Sequence, residues 1–302
     1  MNELKPYRSI SEQVEILESR QMIIADKESA ESYLFRRNYY RLNVYFHCFL
    51  KRNSFNRKVS FGDIMKIESA DSEIRHLLFR YIESIELDFR TKIGYFTAKA
   101  AGADGFYTGR CFQSANAETG KQLVRTKHAI LFENATRYPD ILHHKNKYAQ
   151  KLPAWVTVEH LSFSDLSRIF TYLEDSIQQQ ISDEFGTETD FIKSWLHCLS
   201  VIRNICAHHG YFFRRKLDVR PKLLSRHSNM YAVRKRAEGR IFEGFLSISY
   251  LLRDDEQSLF LHEANELFGC VFSQRREIYS ICPDDYGFPE NWQEVLFRQA
   301  MH

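Results

Sequence analysis

The amino-acid sequence predicts an all-α fold, a helical bundle that carries an N-terminal helical extension. The chain of 302 residues contains only 12 glycines and 6 prolines, too few turn-forming residues for a sandwich or barrel built from many hairpins. Apolar residues recur three and four positions apart over long stretches, which is the spacing of an amphipathic helix. Phenylalanine, tyrosine and tryptophan make up 14% of the chain, enough bulky side chains for a large core.

The N-terminal part of the chain contains two helices with clear start or stop signals. Ser9 and Glu12 have the spacing of a capping box, in which each side chain bonds the other residue's backbone. Residues 71–100 form the clearest amphipathic pattern of the sequence. We expect Asp71 to cap this helix and Gly102 to end it.

The middle of the chain is predicted to alternate between loop and helix. Residues 102–120 are predicted to form a loop, because they hold four glycines and several small polar residues. Residues 121–150 are predicted to form a polar helical stretch that is interrupted at Pro139. Pro153 begins a new helical segment.

A further helix is predicted over residues 190–207. Its apolar residues recur with nearly heptad spacing and should be buried; they are Phe191, Trp195, Cys198, Leu199, Ile202, Ile205 and Cys206. Ser200, Asn204 and His208 form a separate line, four residues apart, away from this apolar stripe. Gly210 supplies a natural stop just beyond the helix.

Basic residues are concentrated in two segments, although the net charge is only +3. Residues 203–240 hold eleven Lys and Arg against two acidic residues, and residues 31–58 hold seven against one. Such an asymmetry indicates a polyanionic partner, most simply a nucleic acid. The alternative is a solvated basic surface of helices with no ligand.

Other features of the composition place the chain in a reducing compartment. No apolar run approaches the ~18 residues that a membrane-spanning helix needs, and the chain begins without an apolar signal segment. The six cysteines include no Cys-x-x-Cys pair, so we expect reduced thiols in the cytoplasm and no membrane partner. A zinc site would lack the usual short ligand spacings if it used His197, Cys198, Cys206 and His208, and we expect no metal.

The segment at the end of the 190–207 helix has the residue types that RNA cleavage requires. Arg203, His208 and His209 place a permanent cation and two imidazoles within two turns. The attacking nucleophile in RNA cleavage is the substrate's own 2′-hydroxyl, so the protein supplies no serine or cysteine for this step. An imidazole exchanges protons near neutral pH, and a guanidinium binds phosphate through two hydrogen bonds. We expect metal-independent chemistry without a cofactor.

Both basic segments supply residues that are expected to bind the RNA backbone. Arg214, Arg215 and Lys216 follow directly after the histidine pair, and Arg37 and Arg41 lie in the N-terminal basic segment. We expect these five side chains to hold the phosphates on either side of the cleaved bond.

The spacing of Arg203 and His208 is not diagnostic by itself. Arg followed by His after four to six intervening residues also occurs at Arg41/His47, Arg137/His143 and Arg220/His227. The segment at 203 differs in its context, because it combines an amphipathic helix, paired histidines, a glycine stop and a basic run. This combination favours a functional site over a chance match.

Four segments carry a family resemblance across nearly the whole chain. They are Asn38-Tyr39-Tyr40-Arg41-Leu42, Leu152-Pro153-Ala154-Trp155-Val156, Arg203-Asn204-Ile205-Cys206-Ala207-His208-His209 and Gly287-Phe288-Pro289-Glu290-Asn291-Trp292. On these segments the sequence resembles the Abi-like (abortive infection, AbiD/AbiF type) phage-resistance family. That family is grouped with the HEPN superfamily of all-helical, metal-independent ribonucleases.

The resemblance implies an architecture and a set of partners. It implies a HEPN-like helical domain. From the sequence pattern we place this domain over residues 61–302, behind an N-terminal helical extension over residues 1–60, with one compact unit as the alternative. The site of such proteins is usually completed by pairing two motifs across a homodimer, here through the 191–209 helix. The resemblance also implies an endoribonuclease toxin of a phage-defence or toxin–antitoxin system, held in check by a small non-coding RNA.

The resemblance further implies that Arg203 and His208 are catalytic, with Asn204 as the polar residue after the arginine and His209 as the second histidine. One departure concerns the residues behind the histidine pair, where the family continues with a small residue and then Arg-Leu-Trp-Asn-Arg. The chain has instead Gly210-Tyr211-Phe212-Phe213-Arg214-Arg215. Only Arg215 falls on a family arginine, since Tyr211 stands where the other would be.

The residues also allow other interpretations. The protein could hold a folded small RNA on its basic surface without cutting it, or regulate DNA, although no helix-turn-helix recognition helix stands out. His208 and His209 could simply stabilise a helix C-terminus. Glu86 and Arg90 have the spacing of a helix salt bridge, and Glu86 is also a candidate for positioning Arg203.

Overall fold

The computed structural model describes residues 4–55, 59–148, 150–228, 239–273 and 278–297. Over these residues the chain forms an α-helical bundle, which confirms the all-α prediction. The first helices are α1 (Ile10–Ser19), α2 (Lys27–Arg37), α3 (Tyr39–His47), α4 (Phe61–Ala101), α5 (Gly105–Thr108), α6 (Ala117–Glu133) and α7 (Pro139–Lys147). The later helices are α8 (Ala154–Thr157), α9 (Phe163–Tyr172), α10 (Asp175–Asp183), α11 (Thr189–Ala207), α12 (Ser225–Ser228), α13 (Ile241–Leu251), α14 (Asp254–Ser273) and α15 (Trp292–Phe297).

Helix α4 is the centre of the bundle, and α3, α8, α10, α11, α13 and α14 pack against it. Its 41 residues make it about 60 Å long. The prediction that Asp71 caps this helix is wrong. The helix begins at Phe61 because Ser60 and Asp63 form a capping box that bonds its first free N–H groups. Asp71 is instead fully buried in the helix interior.

The N-terminal helices pack onto the same hydrophobic core as the rest of the chain. The capping box of Ser9 and Glu12 is confirmed at the start of α1. A short antiparallel hairpin, which the sequence pattern did not predict, joins β1 (Leu50–Lys51) to β2 (Ser54–Phe55). The boundary near residue 60 coincides with the start of α4, and its status as a domain boundary stays a prediction.

The segment between α4 and α9 follows the sequence pattern with one difference. Gly102 ends α4 as expected, with a φ of 80° that suits glycine. Residues 102–120 are not a loop throughout, since they contain α5 and the start of α6. Glycine at position 105 lets α5 pack against the end of α4, because a Cβ there would lie 2.7 Å from the Cβ of Ala101. Pro139 interrupts the next stretch as predicted and occupies the first turn of α7.

The described residues contain no helix that is long and apolar enough to cross a membrane. Nor do they contain any group of three or more His, Cys, Asp and Glu side chains placed to hold a metal ion.

Candidate active site

Helix α11 presents the predicted motif at its C-terminal end. The apolar stripe is confirmed on its inner side, where Trp195, Cys198, Leu199 and Ile202 are buried between α4, α9 and α13. Burial raises the pKa of the Cys198 and Cys206 thiols to about 12. These cysteines are therefore neutral core residues rather than nucleophiles.

The turn after α11 gives the histidine pair a fixed backbone. The His209 N–H donates to the Cys206 carbonyl at 3.1 Å, and the Gly210 N–H donates to the Ile205 carbonyl at 2.7 Å. These two bonds form a Schellman motif. The sequence predicts Gly210 as the stop of this helix, but the left-handed residue is His209, with a φ of 54°. A non-glycine residue in this region costs of order 1 kcal/mol and needs support from its surroundings.

Two arginines from other helices supply that support. Arg41 donates to the His209 carbonyl at 3.1 Å, and the buried Arg75 donates to the Gly210 carbonyl at 2.8 Å. Glycine is required at position 210 because there is no room for a side chain, and not because of its φ angle. A Cβ there would lie 2.8 Å from Cγ2 of Ile205. Both carbonyls after the helix are therefore satisfied by arginines, while His208 and His209 are exposed.

A buried carboxylate organises these arginines. Glu68 accepts from the Tyr33 hydroxyl at 2.8 Å and from Arg41 at 3.2 Å, and Arg37 and Arg75 lie at 3.6 and 3.9 Å. Burial alone would raise the pKa of Glu68, but the bonds from Tyr33 and Arg41 and the nearby arginine charges outweigh it and lower that pKa. The structure therefore brings Arg37 and Arg41 into one network with the motif.

Arg203 is held by α4. Its Nε lies 3.6 Å from Oε2 of the buried Glu86, and its guanidinium lies 5.7 Å from the centre of the Phe79 ring. The other Glu86 oxygen is bound by Arg90, as the predicted helix salt bridge. Arg90 also donates to the carbonyls of Val158 and Leu161. Glu86 therefore positions Arg203, whose side chain keeps a third of its surface exposed.

The imidazoles of His208 and His209 are exposed, and within the described part of the chain neither has a hydrogen-bond partner. Asn204, one turn before His208, donates to the Ser164 hydroxyl at 3.2 Å and thereby ties α11 to α9. Ser200 is buried and bonds its own helix backbone, so the predicted polar line is reduced to Asn204 and His208. Two exposed imidazoles thus follow Arg203 within two turns of the same helix end.

A groove of about 530 Å³ lies between α9 and α11. Ser164, which bonds Asn204, lines it together with Arg168, Lys193 and His197. Sequence reasoning missed these residues as binding candidates. The spacing of Lys193, His197 and Asn204 at four and seven residues was the available signal, since it places them on one side of a helix.

The basic run behind the motif divides into two kinds of residue. Arg214 is engaged in the fold: it donates to Asp285 at 2.7 Å, to the Tyr279 hydroxyl at 2.7 Å and to the Cys48 carbonyl at 3.2 Å. Arg215 lies over the Tyr211 ring at 5.1 Å, and Lys216 is exposed. Residues 234–236, which belong to the same predicted basic segment, lie outside the described residues.

A comparison with known families found a model that matches residues 32–214, the family described as Abi-like protein. The match covers more than half of the chain and includes the entire motif. The chain belongs to the Abi-like protein family. Membership indicates a role in abortive infection, a defence of bacteria against phage. Separate comparisons with curated proteins and with solved structures gave no match.

The Abi-like match ends at Arg214, so it contains Arg37, Arg41 and the motif but not Arg215 or Lys216. Arg214 has the contacts of a structural residue, and its role as an RNA ligand stays a prediction. The contact between Glu86 and Arg203, which the sequence offered only as one alternative, lies within the match.

We expect alanine at Arg214 to affect stability and alanine at Arg215 to affect RNA binding. Arg214→Ala removes three hydrogen bonds and leaves the buried Asp285 short of a partner, which should lower the free energy of unfolding by about 2 to 3 kcal/mol. Arg215→Ala should leave stability unchanged. It should reduce the slope of log affinity for RNA against log salt concentration by about one, the amount for one phosphate contact. Urea unfolding and binding at several salt concentrations measure both quantities. A stable Arg214→Ala with weakened RNA binding would contradict this division.

Proposed function

We propose that this Abi-like protein is a metal-independent endoribonuclease that acts as a toxin in phage defence. One observation carries the proposal: the same helix end presents a guanidinium fixed by a buried carboxylate and two exposed imidazoles. Arg203 is held at 3.6 Å from Glu86, and His208 and His209 follow within two turns. A groove whose lining includes Arg168 and Lys193 lies between α9 and the same helix.

The proposed reaction is an internal transfer of the phosphate. The ribose 2′-oxygen attacks the adjacent phosphorus, the O2′–P bond forms and the P–O5′ bond breaks. A base removes the proton of the 2′-hydroxyl, and an acid protonates the departing 5′-oxygen. Arg203 binds the phosphate oxygens and stabilises the charge that develops on them. The products are a 2′,3′-cyclic phosphate and a 5′-hydroxyl.

His208 takes one of the two proton-transfer roles in this proposal, and the second role falls to a second imidazole. His209 in the same chain is one source, and His208 of a second copy, paired through α11, is the other. Exposed apolar side chains on α4 support such pairing: Phe79, which lies next to Arg203, is 37% exposed, and Leu87 is 53% exposed. A small non-coding RNA bound over the same surface would block the site.

The first test is RNA cleavage in the presence of EDTA. The purified protein is expected to cut single-stranded RNA at an undiminished rate with excess chelator, because no step of the mechanism uses a metal ion. Absence of cleavage under all conditions, together with tight and salt-sensitive RNA binding, would favour the second candidate, a non-catalytic RNA-binding protein. The cationic groove formed by Arg168 and Lys193 is the observation that supports this alternative.

A further inference from the structure

A second cleft, of about 590 Å³, lies between α7 and α8, away from the end of α11. Its walls are mainly aromatic and imidazole rings: Tyr107, His143, His144, Tyr148 and Trp155, with Pro153 at the base. Part of it is formed by the Leu-Pro-Ala-Trp-Val segment, residues 152–156, which carried the family resemblance but has no place in the proposed mechanism.

Trp155 is the most unusual of these residues. Trp155 is 53% exposed, whereas Trp195 and Trp292 are 1% and 6% exposed. The backbone below it is firmly placed, because a Cβ at Gly94 of α4 would lie 3.2 Å from the Cα of Trp155. An exposed indole on a rigid support is a feature of binding surfaces, since the large ring gains most from being covered.

The opposite wall is a cluster of three rings. The ring centres of His144 and Tyr148 are 5.0 Å apart, and those of His143 and Tyr148 are 5.7 Å apart. The Nδ1 atom of His144 is buried and has no hydrogen-bond partner in the described part of the chain. The cleft thus offers flat aromatic faces together with one unsatisfied polar atom.

The charges around the cleft favour a ligand that carries negative charge. The Asp104 carboxylate at its edge is already paired with Arg110 at 3.1 Å. Lys151 lines the cleft, and the Lys147 ammonium lies 5.5 Å from the centre of the Tyr148 ring. Aromatic faces flanked by cations are the arrangement that binds single-stranded nucleic acid, through stacking of bases and attraction of phosphates. A protein partner that inserted an uncharged apolar side chain would make no use of the two lysines, so nucleic acid is the better match.

The cleft is connected to the candidate active site through α4. Arg90, which binds Glu86 beside Arg203, also donates to the carbonyls of Val158 and Leu161, just after the Trp155 helix α8. Gly94, beneath Trp155, lies eight residues from Glu86, which is about 12 Å along the helix. A short length of extended single strand spans such a distance.

We propose that the cleft around Trp155 binds an unpaired nucleobase of the RNA strand whose phosphate lies at Arg203. The inference rests on the proposed function for the identity of the strand. The base stacks on the indole, and Lys147 and Lys151 neutralise the phosphates next to it. The cleft therefore favours single-stranded RNA over duplex RNA, in which the bases are already stacked.

The test uses a single-stranded 2′-O-methyl RNA oligonucleotide, which lacks the attacking hydroxyl and stays intact. Trp155 is the exposed tryptophan, so binding should quench the exposed fraction of the protein fluorescence. Trp155→Ala should weaken binding of the labelled oligonucleotide by about 5- to 100-fold, the effect of losing one base–aromatic stack. Trp155→Phe should abolish the quenching but keep most of the affinity, because it removes the fluorophore and keeps an aromatic ring. Circular dichroism confirms that the variants are folded.

Each other outcome overturns the inference. Equal affinity of Trp155→Ala and the parent protein would show that the indole does not bind the strand. Equal quenching by free adenosine or uridine monophosphate would show a site for free nucleotides, and equal quenching by duplex RNA would show that no unpaired base is needed. Failure of the nuclease proposal can be told apart from failure of this inference. A protein that binds the oligonucleotide through Trp155 but never cuts RNA would contradict the nuclease proposal and still support the cleft as a binding site.

Discussion

Replacement of His208 with alanine is expected to lower the rate of RNA cleavage by about 10²- to 10⁴-fold, the contribution of one general acid or base. The imidazole is exposed and makes no side-chain hydrogen bond within the described ranges, so the fold should be unaffected. Arg203→Ala should lower the rate by about 10²- to 10³-fold through loss of charge stabilisation on the phosphate. Single-turnover cleavage in EDTA measures both rates.

A matched control is available on α14. His262→Ala removes another exposed histidine, whose ring pairs with the exposed Glu266, and it should leave cleavage unchanged. Arg203→Lys keeps the charge but loses the two-point geometry, so its rate should lie between those of Arg203→Ala and the parent. If Arg203→Ala and His208→Ala cut RNA as fast as the parent protein, the site is wrongly assigned.

Replacement of Asp71 with alanine is expected to lower the free energy of unfolding by about 3 kcal/mol or more, because it leaves three buried donors without an acceptor, at about 1 to 3 kcal/mol each. Asp71 accepts from the Tyr45 hydroxyl at 2.9 Å and from the N–H groups of Phe212 and Phe213 at 2.9 and 3.1 Å. It thereby anchors the segment after the histidine pair to α4. Urea unfolding measures the loss, and Glu73→Ala, an exposed carboxylate on the same helix, is the control.

The same carboxyl gives a pH dependence of known sign. Burial raises the pKa of Asp71 from 3.8 to about 6, although bonds from Phe212 and Tyr45 oppose the shift. Because the folded pKa is higher than the unfolded one, the stabilising contribution is complete below the unfolded pKa and is lost as the pH rises through about 6. The parent protein should therefore lose stability relative to Asp71→Asn between pH 4 and 6. An unchanged difference between the two proteins over that range would contradict this assignment.

Local patterns of the sequence predicted the elements that depend on local interactions. Helix α11 and its buried stripe follow from the spacing of apolar residues, because burial of one side of a helix imposes that spacing. Asp71 was misinterpreted as a cap because aspartate is a favoured capping residue, whereas its partners, Phe212 and Phe213, lie far away in the sequence. The same applies to His209, whose left-handed conformation is supported by Arg41, a residue 168 positions earlier.

The candidate site shows the same division between local and distant interactions. Spacing placed Arg203 and His208 at one helix end, but the contact of Arg203 with Glu86 depends on how α11 packs against α4. Charge counting predicted a basic surface without showing which cations are free. Arg214 pairs with Asp285 whereas Lys216 is exposed, and only the tertiary structure distinguishes them.

The chemistry of the newly formed RNA ends tests the central claim most directly. The parent protein is incubated with an end-labelled RNA oligonucleotide in EDTA, and the fragments are analysed by mass. Attack by the ribose hydroxyl predicts a 2′,3′-cyclic phosphate on one fragment, a 5′-hydroxyl on the other, and no cleavage of the 2′-O-methyl strand. Fragments with a 5′-phosphate and a 3′-hydroxyl, or cleavage of the 2′-O-methyl strand, would contradict the mechanism.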